Sequence, residues 1–158
     1  MSETNHLVVF RLEGRRYALP LLSVERAVRA AEVTPLPKAP AIVLGVIDVG
    51  GQVLPVLNVR KRFRLPERET TVDDQFLIAR AGSRTVVLVV DVVEGIMDSP
   101  AAGRVAAAEI VPGLEQVEGV FKHADGLILI HDLEKFLSLD EGQNLDEALK
   151  QEAAHAVD

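Results

Sequence analysis

Apolar residues in this chain fall into short runs rich in Val, Leu and Ile: "HLVVFRL" (6–12), "RRYALPLL" (15–22), "GVIDV" (45–49), "QVLPVLNV" (52–59), "QFLIARA" (75–81), "RTVVLVV" (84–90), "VVEGIMD" (92–98) and "GLILIH" (126–131). Branched aliphatic runs of this length, bounded by turn residues, predict strands, because branched side chains pack well on a pleated surface. The intervening "LEGRR", "VGGQ", "AGSR" and "HADG" read as turns. Gly50-Gly51 lies between two apolar runs and predicts a two-residue hairpin, since primed turns need the positive φ that glycine adopts freely. Helical spacing appears late, at Leu133, Phe136 and Leu137, and again near the end of the chain. There Asn144 reads as an N-cap with Glu147 as its capping acid, and Leu145, Ala148, Leu149, Glu152 and Ala156 share one thin face. A frayed or weakly packed helix is expected, ahead of a lid on the barrel or a docking helix.

The pattern repeats. Shifted by 74 residues, "GVIDVGGQVLPVLNVRKRF" (45–63) lies on "GVFKHADGLILIHDLEKFL" (119–137) without a gap. Gly45, Val46 and Lys61 meet identical residues, and Ile47, Val53, Leu54, Val56, Val59 and Phe63 meet Phe121, Leu127, Ile128, Ile130, Leu133 and Leu137. Shifted by 68, the hairpin around Gly14 lies on that around Gly82, with Arg16 on Arg84 and Val24 on Val92. Each half thus reads hairpin, strand, connector, hairpin, short helix. Two small packed β-barrels are the natural architecture, because closure removes exposed strand edges.

Composition narrows what such a protein could do. The 158 residues carry a net charge of −7, which disfavours a sequence-independent grip on nucleic acid or an anionic membrane. There is no cysteine, so disulfides, thiolate metal sites and cysteine nucleophiles are excluded. The start lacks the pattern of a signal peptide, and the longest purely apolar run, Val86 to Val90, is far short of a membrane span. A soluble, cytoplasmic protein is expected.

Candidate chemistry is sparse. His6, His123, His131 and His155 lack close metal-ligand spacing, and Ser23, Ser83, Ser99 and Ser138 lack a nucleophile elbow. Asp73-Asp74 reads as a polar stretch before a strand, and Asp91 as a polar residue closing a buried one. The run Arg60, Lys61, Arg62, Arg64 sits in an acidic chain with few aromatics, so it reads as a solvated helix face or a charged interface rim. No catalytic residue, metal site or cofactor is expected. The remote alternative, a small β-barrel enzyme or ligand-binding protein, would need converging titratable groups that the sequence does not display.

Three stretches, "FRLEGRRYALPLLSVERAV", "VTPLPKAPAIVLGVIDVGGQVLPVLNVRKRF" and "LVVDVVEGIMD", resemble the CheW family of chemotaxis coupling proteins. The most specific part is carried by Pro37, Pro40, Gly45, Val46, Ile47, Gly51, Leu54, Pro55 and Val56. The resemblance implies a mainly β fold of two intertwined SH3-like five-stranded β-barrels with short helices and a C-terminal helix. It implies one CheW-like domain over 7–140, with repeat halves 7–63 and 75–137 and an extension over 141–158. It also implies a non-catalytic adaptor at membrane-associated receptor arrays. Its partners would be the regulatory domain of a CheA-type histidine kinase, the cytoplasmic tip of a chemoreceptor lying between the barrels, and other CheW-like domains. A divergent scaffold that joins only CheW-like domains is the alternative.

The expected partner surface is the central hairpin: Gly45, Val46, Ile47, Asp48, Val49, Gly50, Gly51, Leu54, Pro55 and Val56. The family commonly has Asn-Leu-Arg-Gly where this chain has Asp48-Val49-Gly50-Gly51, so Gly50 stands where the resemblance places a partner-facing arginine. Either the glycine only relaxes the turn and the partner matches it, or the set of partners has changed. Both readings stay open on the sequence.

Overall fold

The computed structural model describes residues 4–100, 104–106, 117–123, 126–131 and 139–156. The chain opens with a hairpin, β1 (Thr4–Leu12) and β2 (Arg15–Pro20), followed by a 3-10 turn (Leu21–Ser23) and β3 (Val24–Arg29). A second hairpin, β4 (Val43–Val49) and β5 (Gln52–Leu57), runs into the short helix α1 (Val59–Arg62). Then come β6 (Gln75–Ala81), β7 (Arg84–Val90), β8 (Val92–Pro100) and β9 (Arg104–Ala106). The hairpin β10 (Val117–His123) and β11 (Gly126–His131) and the helix α2 (Leu139–Ala156) complete the described elements. The expected helix around Leu133, Phe136 and Leu137 lies outside the described residues.

Two sheets result, one ordered β8-β1-β2-β11-β10-β9 and the other β3-β6-β7-β5-β4. The fold is mainly β with the SH3-like arrangement expected, with two differences. One sheet has six strands because the three-residue β9 adds to the edge of β10, and among the described residues neither sheet closes on itself. Each sheet draws strands from both halves of the sequence: β1 and β2 pair into the sheet of β8, β10 and β11, while β6 and β7 join β3, β4 and β5. That exchange is the intertwining.

Strand pairing corrects the sequence alignment of the halves. β10 and β11 begin and end 74 residues after β4 and β5, as expected. The first hairpin, closed by Leu12↔Arg15, repeats in the hairpin closed by Ala81↔Arg84, an offset of 69 and not 68. The slip has a local cause: glycine is the second residue of the Glu13-Gly14 turn but the first of Gly82-Ser83. Aligning the two glycines therefore moves the strands by one position, which in a period-2 structure turns every side chain to the wrong face. At 69, even the bulges coincide, with Glu25 skipped in β3 and Glu94 in β8.

Both faces of the central strands are buried, which explains why their sequences are continuous apolar runs rather than alternating ones. On β1, Leu7 and Val9 enter a core shared with Ala18, Ile128 and Ile130, inside the first sheet. Val8, Phe10 and Leu12 face the other way, into a larger core between the sheets with Tyr17, Leu19, Leu57, Leu77, Val86 and Leu88. Phe76, Ile78 and Val87 join Ile47, Leu54 and Val56 in a third core inside the second sheet. In the central core Tyr17 stacks between Phe10 and Phe63, at centroid distances of 5.9 and 5.2 Å. Burial pushes the Tyr17 hydroxyl pKa up, against a smaller opposing effect of Arg15.

Helix α2 departs from the expectation of a frayed segment. It starts at Leu139, so Asn144 is an exposed interior residue and not a cap, and the expected boundary at 141 falls inside the helix. Leu145 and Ala148 are fully enclosed in the central core, with Leu149 partly buried against it. Of the expected face, the side chains of Glu152 and Ala156 lie outside the described residues.

Candidate functional site

The β4–β5 hairpin forms as its glycines require. Gly50 (φ 59°) and Gly51 (φ 89°) are both left-handed, the pattern of a type I′ turn, and Val49 pairs with Gln52 across them. The Asp48 carboxylate locks the turn by accepting a hydrogen bond from the Gly51 amide at 2.8 Å. At the base, Gly45 is demanded by close approach: a Cβ there would lie 2.2 Å from the Thr34 carbonyl oxygen. That contact exists because Thr34 covers the outer edge of β4, its amide donating to the Val46 carbonyl at 2.9 Å and its carbonyl accepting from the Val46 amide at 2.8 Å. With both polar groups of Val46 turned outward, Val46↔Pro55 is a non-hydrogen-bonded pair, so proline costs no ladder bond toward β4.

The ten residues expected at the partner surface therefore divide. Gly45, Val46, Ile47, Leu54, Pro55 and Val56 are buried and hold the hairpin to the cores; Val49 is half-buried; Asp48, Gly50 and Gly51 are exposed. What the hairpin shows to solvent is Leu44 at its base and a tip of Asp48, Gly50, Gly51, Gln52 and Val53, the valine 56% exposed. Val53 was legible as a surface residue only once register placed it opposite Asp48.

Beside this hairpin lies an ion network that the sequence did not reveal. Arg60, expected on a solvated helix face or a charged interface rim, is only 8% exposed. Its guanidinium donates to Glu13, to the Pro66 carbonyl at 2.9 Å and to Asp91 at 2.6 Å. Arg68 forks onto Asp74 at 2.7 and 2.8 Å and reaches Asp91 at 3.0 Å. Asp74, 3% exposed, also accepts from the Thr71 amide at 2.9 Å. The hydrogen bonds from Arg68 hold the Asp74 pKa below the usual carboxylate value, outweighing the effect of burial. Burial lowers the Arg60 pKa, but hydrogen bonds to Glu13 and Asp91 more than reverse this and leave it raised. Asp91 also accepts from the Glu13 amide at 3.0 Å, so one carboxylate joins α1, the 63–74 loop and the β1–β2 turn. Asp91 is thus more than a polar strand end, and Asp74, read from sequence as part of a polar stretch, is a buried ion-pair partner.

The network sets two guanidinium groups against three carboxylates and borders a cavity of only about 30 Å³, lined by Leu44, Arg60, Arg68 and Asp74 among others. Among the described residues, no three His, Asp or Glu side chains are grouped to hold a metal ion. On the opposite sheet, edge strand β8 exposes Val92 and Ile96, the latter 65% exposed. Behind them Arg11 and Arg16 bracket Glu94 at 3.0 and 2.9 Å. Among the described residues, no helix is long and apolar enough to cross a membrane.

Two interleaved sheets with tight glycine turns, showing Val53 at a hairpin tip and Ile96 on a sheet edge, define an SH3-like β class. Comparison with known proteins gives the family: residues 6–141 match the CheW-like domain, and the chain belongs to the CheW family. It is 28% identical to the chemotaxis protein CheW of Treponema pallidum over 91% of this chain and 88% of that one. It is 32% identical to Protein FrzA of Myxococcus xanthus over 70% and 73% of the respective chains. The crystal structure of the scaffolding protein TtCheW from Thermoanaerobacter tengcongensis superimposes with a TM-score of 0.79 at 25% identity, covering 87% of this chain and 94% of that one. The protein is a chemotaxis coupling and scaffold protein and not an enzyme, since proteins of this family are non-catalytic adaptors.

Proposed function

We propose that this chain couples chemoreceptor cytoplasmic tips to the regulatory domain of a CheA-type histidine kinase, at membrane-associated receptor arrays. The observation that carries the reading is the β4–β5 hairpin within the CheW-like domain: its buried residues fix the frame, and the exposed Asp48, Gly50, Gly51 and Val53 form the contact. Rigid positioning is the mechanism. A partner that binds the two states of the kinase unequally shifts their populations without any chemistry in the adaptor. Residues 7–140 are the working unit of this reading, with the two repeat halves contributing strands to both sheets.

Gly50 favours a second reading, a scaffold that joins other CheW-like domains without touching receptors, because position 50 presents no side chain where the resemblance places an arginine. Titration calorimetry of the full chain separates the two. Against the kinase regulatory domain from the same genome, saturable one-to-one binding is expected; its absence sinks both readings. Against the receptor tip, wild type is expected to bind and Gly50→Arg to bind more tightly. If neither the wild type nor Gly50→Arg binds the receptor tip, the scaffold reading stands.

A further inference from the structure

The sideways bonds of the β4–β5 hairpin fall near its base. β5 pairs with β7 at Val56↔Val87 and Leu57↔Leu88, and β4 meets Thr34 at Val46. Beyond that level the register runs between the two arms, from Ile47↔Leu54 to Val49↔Gln52. Ile47 and Leu54 pack one side of this ribbon into the core of the second sheet, and the tip stays exposed. Two-stranded ribbons twist over a wider range than sheet interiors, so the direction of the tip depends on how the base is fixed.

The base is fixed by Asn58 and, behind it, by Arg60. The Asn58 amide donates to the Ile42 carbonyl at 2.7 Å, which closes the hairpin. Its side-chain oxygen caps α1 by accepting from the Lys61 amide at 3.0 Å, and its side-chain nitrogen donates to Glu67 at 2.8 Å. Arg60 follows in α1, with its carbonyl accepting from the Leu65 amide at 2.8 Å. Its buried guanidinium then reaches both sheets: Glu13 lies in the turn after β1, and Asp91 links β7 of the second sheet to β8 of the first. Arg68, in the same network, bonds to Asp74, Asp91 and the Glu69 carbonyl, and so holds the 63–74 loop rather than α1. We propose that Arg60 is a positioning residue for partner contact: through α1 and Asn58 it holds the β4–β5 hairpin at the angle at which its tip meets a partner. The partner side of this assignment rests on the adaptor reading; the hold on the hairpin does not.

The test combines amide hydrogen exchange on the full chain with calorimetry against the kinase regulatory domain from the same genome. Arg60→Gln is expected to speed exchange at Thr34, Val46 and Asn58 while β1, β6 and β7 keep their protection. A hairpin that then holds the binding angle a tenth of the time lowers kinase-domain affinity about ten-fold. Arg60→Lys keeps the charge but not the fork that reaches several partners at once, so it should recover part of both effects. Arg68→Gln weakens the same network and should leave hairpin exchange and affinity as in the wild type. Unchanged hairpin exchange in Arg60→Gln overturns the proposal. So does an equal hairpin effect in Arg68→Gln, or a loss of protection spread over β1, β6 and β7, either of which makes Arg60 a stabiliser of the fold alone. Should Arg60→Gln not fold, Glu13→Ala frees the guanidinium from the first sheet and leaves Asp91 and Pro66 in place. The same localised exchange is expected there in smaller measure, and its absence overturns the proposal. If exchange follows Arg60 as expected but the wild type binds no kinase domain, the hold on the hairpin stands and the adaptor reading falls.

Discussion

The junctions after the two pseudo-equivalent hairpins make an instructive pair. At the offset set by strand pairing, Leu22, after β2, corresponds to Asp91, after β7. Both lie between a hairpin and the strand that follows it, Leu22 within a 3-10 turn and Asp91 as a single linking residue, and the chemistry is opposite. Asp91 is held by Arg60 and Arg68 and accepts from the Glu13 amide, whereas Leu22 stands 98% exposed. The bulges that follow match as well, yet β8 then exposes Ile96 where β3 has Ala27. One repeated backbone thus supports a closed, charge-locked corner in one copy and an open surface in the other. Repetition specifies the frame; individual side chains decide which corner is structural.

Exchanging the two chemistries is the sharpest way to break this comparison. Asp91→Leu leaves Arg60 and Arg68 without their shared carboxylate, and we expect a loss of about 2–3 kcal/mol in chemical denaturation, between the scales of an exposed and a buried ion pair. A loss under about 1 kcal/mol would mean that Glu13 and Asp74 suffice. Next in size is Gly45→Ala, which drives a Cβ into the Thr34 carbonyl and should cost about 2 kcal/mol, with faster amide exchange at Val46.

Acid tests the locked corner without mutation. Because Arg68 depresses the Asp74 pKa, its contribution is fully present above the unfolded carboxylate value of about 4 and is lost as pH falls through the lower folded value. The melting temperature should therefore fall more steeply in that window for wild type than for Asp74→Asn, which starts less stable and has no such titration. Parallel curves would remove Asp74 from the acid response.

Smaller effects belong to the open regions. Gly50→Arg meets no steric obstacle but must hold a left-handed residue at φ 59°, so about 1 kcal/mol of stability should be lost while the fold persists. Leu22→Asp, the reverse half of the exchange, should change stability by no more than about 0.5 kcal/mol, because the leucine it replaces is 98% exposed. A loss as large as that of Asp91→Leu would show the two corners to be energetically alike.

The sequence by itself determined the local structure. Apolar runs, Gly50-Gly51 and the turn residues specify strands and tight hairpins through steric limits on φ and the pleat of a strand, which neighbours alone impose. The repeat at β4–β5 was legible to the residue because its offset is gapless and its apolar pairs many. The family was legible in the motif around Gly45 and Pro55, and the hairpin tip with it. Tertiary structure decided the rest. The register of the other hairpin turned on which turn position carries glycine, a distinction that pattern matching on glycine cannot make. Burial of Arg60 and Asp74, docking of α2 and the division of the hairpin into frame and surface depend on residues distant in sequence. Charge and exposure there are set by what the other sheet, loop or helix brings within reach, and a single segment carries no record of that.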